Sequence, residues 1–152
     1  MYPRWLTQPL DDMNLREVAP GLFVGDERSP LAGEWATIID FYGTRSPLIA
    51  AHQKRAKRLL RIPFEDGQPF PPGALDAAWT AWQETDLDHG NTLLHCQAGL
   101  SRSASAAYAL LRKRYGLSHA EALARVTTPF TAHQFPLRTT LASAAEWSRA
   151  GW

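Results

Sequence analysis

The chain has 152 residues, of which 45% are hydrophobic and 20% charged, the usage of one ordinary globular domain. Sixteen basic against fifteen acidic residues leave a net charge of +1, so no global field points to nucleic acid or anionic lipid. The longest unbroken apolar run, Ala106 to Leu111, is far short of the roughly 18 residues of a spanning helix, and the start Met1-Tyr2-Pro3-Arg4-Trp5 has no apolar stretch of a secretory leader behind it. A cytoplasmic protein with neither membrane nor nucleic-acid partner is expected. The single cysteine, Cys96, excludes an intramolecular disulfide and a multi-thiolate metal site.

Residues 1–20 hold three prolines and few periodic apolar positions, which predicts an extended arm leading into a single domain over 21–152. Leu22-Phe23-Val24-Gly25 reads as a short strand after the Pro20-Gly21 turn signal. Thr37 to Tyr42, β-branched and aromatic and closed by Gly43, reads as a second strand. Residues 47–58 suit a helix opened by Pro47, and Leu60 to Phe64 a strand ended or edged by Pro63. The five positive charges Lys54, Arg55, Lys57, Arg58 and Arg61 are read as a solvated helix face. Glu65 to Pro72 is a loop.

From Gly73 the positions Leu75, Ala78, Trp79 and Trp82 recur at helical spacing up to His89-Gly90, with the tryptophans at the core or its edge. Thr92-Leu93-Leu94-His95 suits a strand buried between helices. Ala104, Ala107, Tyr108 and Leu111 give a further helix that Gly116 stops. Ser118-His119-Ala120-Glu121 is a capping box that opens the next helix, through about Val126, and Leu137 to Trp147 can form a last one. Alternating strands and helices predict an α/β layered domain.

The informative segment is His95-Cys96-Gln97-Ala98-Gly99-Leu100-Ser101-Arg102-Ser103, at a strand-to-helix junction. Given the cysteine, composition alone produces His before it, Gly at +3, Arg at +6 and Ser or Thr at +7 roughly two times in a hundred thousand. A loop here can curl so that the N–H groups from Gln97 to Arg102 converge as an anion nest reinforced by the helix N-terminus. Gly99 supplies the backbone freedom for the curl. Arg102 can grip two oxygens of a phosphate-sized dianion with its planar guanidinium. Cys96, on the floor of that positive cradle, is expected to act as a thiolate, and Ser103 can donate a hydrogen bond to its sulfur.

With these residues the chain resembles the cysteine-dependent phosphatases with an HCxxGxxR[ST] loop, and among them the small dual-specificity phosphatases. The likeness runs from about Pro20 to Trp147: Pro20 to Gly25 is similar to that family's opening strand, Ile62-Pro63-Phe64-Glu65-Asp66 to its acid loop, and His95 to Ser103 to its signature loop. The resemblance implies a protein tyrosine phosphatase-like α/β fold, with a central, mostly parallel sheet of about five strands and helices on both faces. It also implies a phosphomonoester hydrolase that needs no metal or other cofactor, acts on a phosphorylated protein or a small phosphomonoester, and is inhibited by phosphate-like oxyanions.

By the same resemblance Cys96 is the nucleophile, Arg102 the phosphate clamp, Ser103 the helper of the leaving thiolate and Asp66 the general acid, with Glu65 as rival acid. Gln97, Ala98, Gly99, Leu100, Ser101 and Arg102 form the phosphate-binding loop, and His95 organises it. The uncharged Gln97, Ala98 and Leu100 favour protein or small monoester substrates over polyphosphorylated inositols. The family's Arg-Pro and Asn before a late phenylalanine are replaced here by Thr127-Thr128-Pro129-Phe130-Thr131-Ala132-His133-Gln134-Phe135. That departure keeps a second reading in view, a phosphate-binding module with little turnover. Hydrolysis of inositol phosphates is a third reading, and rhodanese-type sulfur transfer, whose cysteine loop is normally one residue shorter, a fourth.

Overall fold

The computed structural model describes residues 14–43, 46–127 and 135–149. Among the described residues there are five strands: β1 (Arg16–Ala19), β2 (Leu22–Gly25), β3 (Thr37–Asp40), β4 (Arg58–Arg61) and β5 (Thr92–His95). They form one sheet in the order β1-β2-β5-β3-β4, antiparallel only between β1 and β2. Five helices among the same residues accompany them: α1 (Pro47–Gln53), α2 (Ala74–Leu87), α3 (Arg102–Tyr115), α4 (His119–Val126) and α5 (Arg138–Arg149), with a 3-10 turn at Ser29–Ala32.

The period-2 alternation of the central strands decides which layer each side chain enters. Leu22, Val24, Ile39 and Leu94 turn to the larger core, shared with α2, α3, α4 and α5. Ile38, Leu93, Phe23 and Leu59 turn the other way, to a smaller core with Trp35 and Ala56 on the face of α1 and the 3-10 turn. Both faces are thus covered, as a mostly parallel sheet requires. Helix α3 is buried at every residue from Arg102 to Leu111. Its alanines at 104, 106, 107 and 109 allow close approach from all sides, and Ser118 and Glu121 form the reciprocal capping box of α4.

Four local expectations are corrected. Helix α1 stops at Gln53 rather than at 58, and the next strand runs over Arg58–Arg61 rather than 60–64. The pairing of Thr37 with Arg58 and of Asp40 with Arg61 sets that register, so the chain leaves the sheet before Pro63, which has no N–H for a ladder. The basic run is therefore a helix end, a turn and an edge strand rather than one helix face: Arg58 pairs with Glu84, and Arg61 reaches Gln53. The end of the segment read as an arm, Arg16–Ala19, is an edge strand on β2.

The parallel register aligns Gly25, His95, Asp40 and Arg61 in one row at the C-terminal ends of four strands. The loops that follow them share that edge, the usual place for a site in an open α/β sheet.

Candidate active site

Cys96 follows β5 directly and is 2% exposed. Its Sγ lies 3.1 Å from the Oγ of the fully buried Ser103, in the first turn of α3. The backbone between them curls over the end of β2: the Cys96 N–H donates to Gly25 O at 3.4 Å and the Glu27 N–H to Gln97 O at 3.0 Å. Gly99 takes φ +74°, and a Cβ there would lie 2.7 Å from the carbonyl carbon of Gly25 and 2.8 Å from its oxygen. Glycine is needed both for the left-handed backbone and for the close approach. The N–H groups of Ala98, Gly99 and Leu100 donate to no other described residue. Ser101 Oγ accepts from Leu137 N–H at 2.9 Å, which ties the loop to the segment before α5.

Arg102 opens α3 and is 8% exposed. Its Nη1 donates to Phe64 O at 2.7 Å and Phe41 O at 3.4 Å, and its guanidinium lies 5.5 Å from the centre of the Tyr42 ring. The Nε of the same group is buried without a partner among the described residues. Buried N–H groups are seldom left unpaired in folded proteins, although Arg16 Nε and Trp82 Nε1 are also without a partner among the described residues.

The loop that carries Asp66 is held from two sides. Phe64 packs on Phe41 and Phe70, with ring centres 6.2 and 4.8 Å away. On the α5 side, Thr140 Oγ1 accepts from Gly67 N–H at 3.0 Å and donates to Gln68 O at 2.7 Å, and Ser143 Oγ accepts from Phe70 N–H at 3.0 Å. Asp66 is half-buried, with Oδ1 on its neighbour's N–H, Gly67 N, at 3.0 Å, whereas Glu65 is exposed. The Arg102–Phe64 bond joins this loop to the cysteine loop.

Beneath both loops His95 is wholly buried in a four-residue network. Arg61 Nη2 donates to Gln53 Oε1 at 2.7 Å, which orients the amide so that Gln53 Nε2 donates to Asp40 Oδ2 at 2.8 Å and to His95 Nε2 at 3.0 Å. His95 Nε2 is then an acceptor and the ring neutral. Burial lowers the His95 pKa against the opposing charge of Asp40. Burial alone would raise the Asp40 carboxyl, but the attraction of His95 once it is protonated, with the Gly43 and Tyr42 N–H groups and Gln53, brings it below its usual value. Asp40, Gln53 and Arg61 escape a reading of the sequence, because no local motif links β3, α1 and β4 to the histidine. Asn14 and Arg16, which also meet the loop, are missed for the same reason.

His133 and Gln134, and with them the segment from Thr128, lie outside the described residues. A cavity lined by Trp35, His52, Arg55, Lys57, His89 and Asn91 opens at the opposite end of β3, β4 and β5 and takes no part in this site.

Solved structures share this architecture over most of the chain. Human DUSP28 aligns at 22% identity and a TM-score of 0.68, covering 90% of this chain and 94% of that one. A mutant form of Tk-PTP aligns at 19% and 0.73, covering 89% and 94%. A mouse protein named as a dual specificity phosphatase and solved with zinc tungstate aligns at 22% and 0.67, covering 93% and 91%. The fold is that of the small dual-specificity phosphatases. No family model and no curated protein matches the chain. Among the described residues, no helix is long and apolar enough to cross a membrane.

Proposed function

We propose that the chain is a phosphomonoester hydrolase of the protein-tyrosine or dual-specificity type, acting through a phosphocysteine on Cys96. The observation that carries this reading is the state of Arg102. One edge of its guanidinium is anchored on the loop of Asp66, and its buried Nε has no partner among the described residues. It ends a loop whose N–H groups from Gln97 to Arg102 no described residue claims, around a sulfur paired with Ser103. Such an array suits a tetrahedral dianion. The shared fold supports the reading, and one neighbour was solved with tungstate, itself a tetrahedral oxyanion.

In this mechanism the Cys96 thiolate attacks phosphorus in line with the ester oxygen. An S–P bond forms, the P–O bond breaks, and the departing oxygen takes the proton of Asp66. Arg102 and the N–H groups of Ala98, Gly99 and Leu100 hold the equatorial oxygens while charge moves across the phosphoryl group. Water then attacks phosphorus and gives its proton to Asp66. The S–P bond breaks, and the sulfur leaves as a thiolate stabilised by the Ser103 hydroxyl. Substrates are phosphorylated proteins or small phosphomonoesters, because Gln97, Ala98 and Leu100 add no charge for polyphosphates.

The test is hydrolysis of p-nitrophenyl phosphate with EDTA present. Cys96→Ser abolishes turnover and retains tungstate binding, and Asp66→Asn slows alkyl phosphates more than aryl ones, whose leaving groups need less protonation. Full activity in Cys96→Ser overturns the assignment. Tungstate binding by a wild-type chain that never turns over would favour the phosphate-binding module instead.

A further inference from the structure

Three consecutive carbonyls of the cysteine loop are held by donors outside it. Gln97 O accepts from Glu27 N–H at 3.0 Å, Ala98 O from Asn14 Nδ2 at 2.9 Å, and Gly99 O from Arg16 Nη2 at 3.1 Å. In a trans peptide the C=O and the next N–H point in opposite directions. Holding the carbonyls of 97, 98 and 99 on one side therefore turns the N–H groups of Ala98, Gly99 and Leu100 to the other. Those three belong to the run of six loop N–H groups, Gln97 to Arg102, that donate to no other described residue.

We propose that Arg16 and Asn14, from β1 and the segment before it, are positioning residues that hold the loop peptides so that their N–H groups face the substrate phosphate. The proposal rests on the phosphatase reading for the identity of the anion, and on the three tethers for everything else.

Arg16 is built into this place. Its Nη1 donates to Asn14 O at 2.7 Å, and its Nη2 also donates to Val126 O, the last residue of α4. A guanidinium at a helix C-terminus meets the partial negative charge of the carbonyls there. One planar fork thus joins β1, the end of α4 and the loop, which a lysine ammonium on a flexible stem cannot reproduce. Desolvation pulls the Arg16 pKa down to about 10, opposed by the nearby Cys96, so the group stays cationic at neutral pH. A charged donor also polarises the peptide whose carbonyl it holds and makes the attached N–H a better donor. Arg16 thereby acts on the site through the Gly99–Leu100 peptide without touching substrate.

The experiment compares Arg16→Met, Arg16→Lys and Asn14→Ala in the full chain. Arg58→Met, which removes an exposed ion pair with Glu84, serves as the control for losing a surface arginine. Tungstate affinity is measured in each variant combined with Cys96→Ser, so that binding is read without turnover. Arg16→Met weakens tungstate about tenfold and Asn14→Ala about threefold, the scale of one misplaced charge-assisted and one misplaced neutral hydrogen bond. With p-nitrophenyl phosphate, Arg16→Met lowers kcat as well as raising KM, because the N–H groups serve the transition state more than the ground state.

Tungstate affinity does not recover in Arg16→Lys, because an ammonium cannot reproduce the planar fork. Arg58→Met changes none of these. A folded Arg16→Met with wild-type tungstate affinity and kcat overturns the proposal. Should that variant fail to fold, unchanged tungstate affinity in both Arg16→Lys and Asn14→Ala overturns it equally. If the wild-type chain binds tungstate without hydrolysing esters, the phosphatase reading fails alone, and the tungstate arm still decides the role of Arg16 and Asn14.

Discussion

Replacing Gly99 by alanine separates a glycine needed by the loop from one merely tolerated there. The residue sits at φ +74°, where an L side chain costs about 1–2 kcal/mol. The added Cβ would meet Gly25 C at 2.7 Å, Gly25 O at 2.8 Å and Asp26 N at 3.0 Å, all backbone atoms that cannot swing aside like a side-chain tip. Relieving such overpacking costs about 1–3 kcal/mol more, for a total of about 2–5 kcal/mol. In a domain of this size each kcal/mol lowers Tm by about 2–4 °C, so a fall of about 4–20 °C is expected. The loop must also lift from β2, which breaks the register of the Glu27–Gln97 bond and disperses the N–H groups. Differential scanning calorimetry, with tungstate titration on the same sample, measures both effects. A Gly99→Ala chain that melts with wild type and binds tungstate equally well would refute the close packing of the loop on β2 and the nest derived from it.

Two further outcomes test the network around the loop. Arg102→Lys lowers kcat/KM on p-nitrophenyl phosphate by about 100-fold or more, since a lysine cannot both hold the Phe64 carbonyl and present two donors to phosphate; steady-state kinetics show it, and near wild-type activity would remove Arg102 from the phosphate site. His95 is held neutral with its pKa below the unfolded value of 6.5, so the unfolded chain takes up the proton first and stability falls as pH drops through 6.5 toward the lower folded value. The slope approaches about 1.4 kcal/mol per pH unit at most. Burial raises the pKa of Asp26 and Glu27, which opposes this trend at lower pH, so melts are compared between pH 7.5 and 5.5. His95→Asn flattens the profile in that window, and equal slopes in variant and parent would contradict the neutral buried ring.

The signature loop was legible because its chemistry is contiguous. From His95 to Ser103 the strand end, the curl and the helix start follow one another in the chain, and each needs a residue type that local sterics or charge explains. The helices α2 to α5 were legible for a related reason, since their apolar spacing and the Ser118 capping box are local signals. Strand β4 was misplaced because its bounds depend on pairing with β3, which no property of Leu60 or Pro63 reveals.

Sequence alone determined the presence of a curled cysteine loop between a strand and a helix, and an acidic loop 30 residues before it. Only the tertiary structure decided what surrounds that loop: Asp40, Gln53 and Arg61 arranged about His95, Phe64 receiving Arg102, and Asn14 and Arg16 reaching Ala98 and Gly99 across 84 and 83 residues. A backbone curl is written in neighbouring residues, whereas the donors that hold its carbonyls come from wherever the sheet order brings a chain segment alongside.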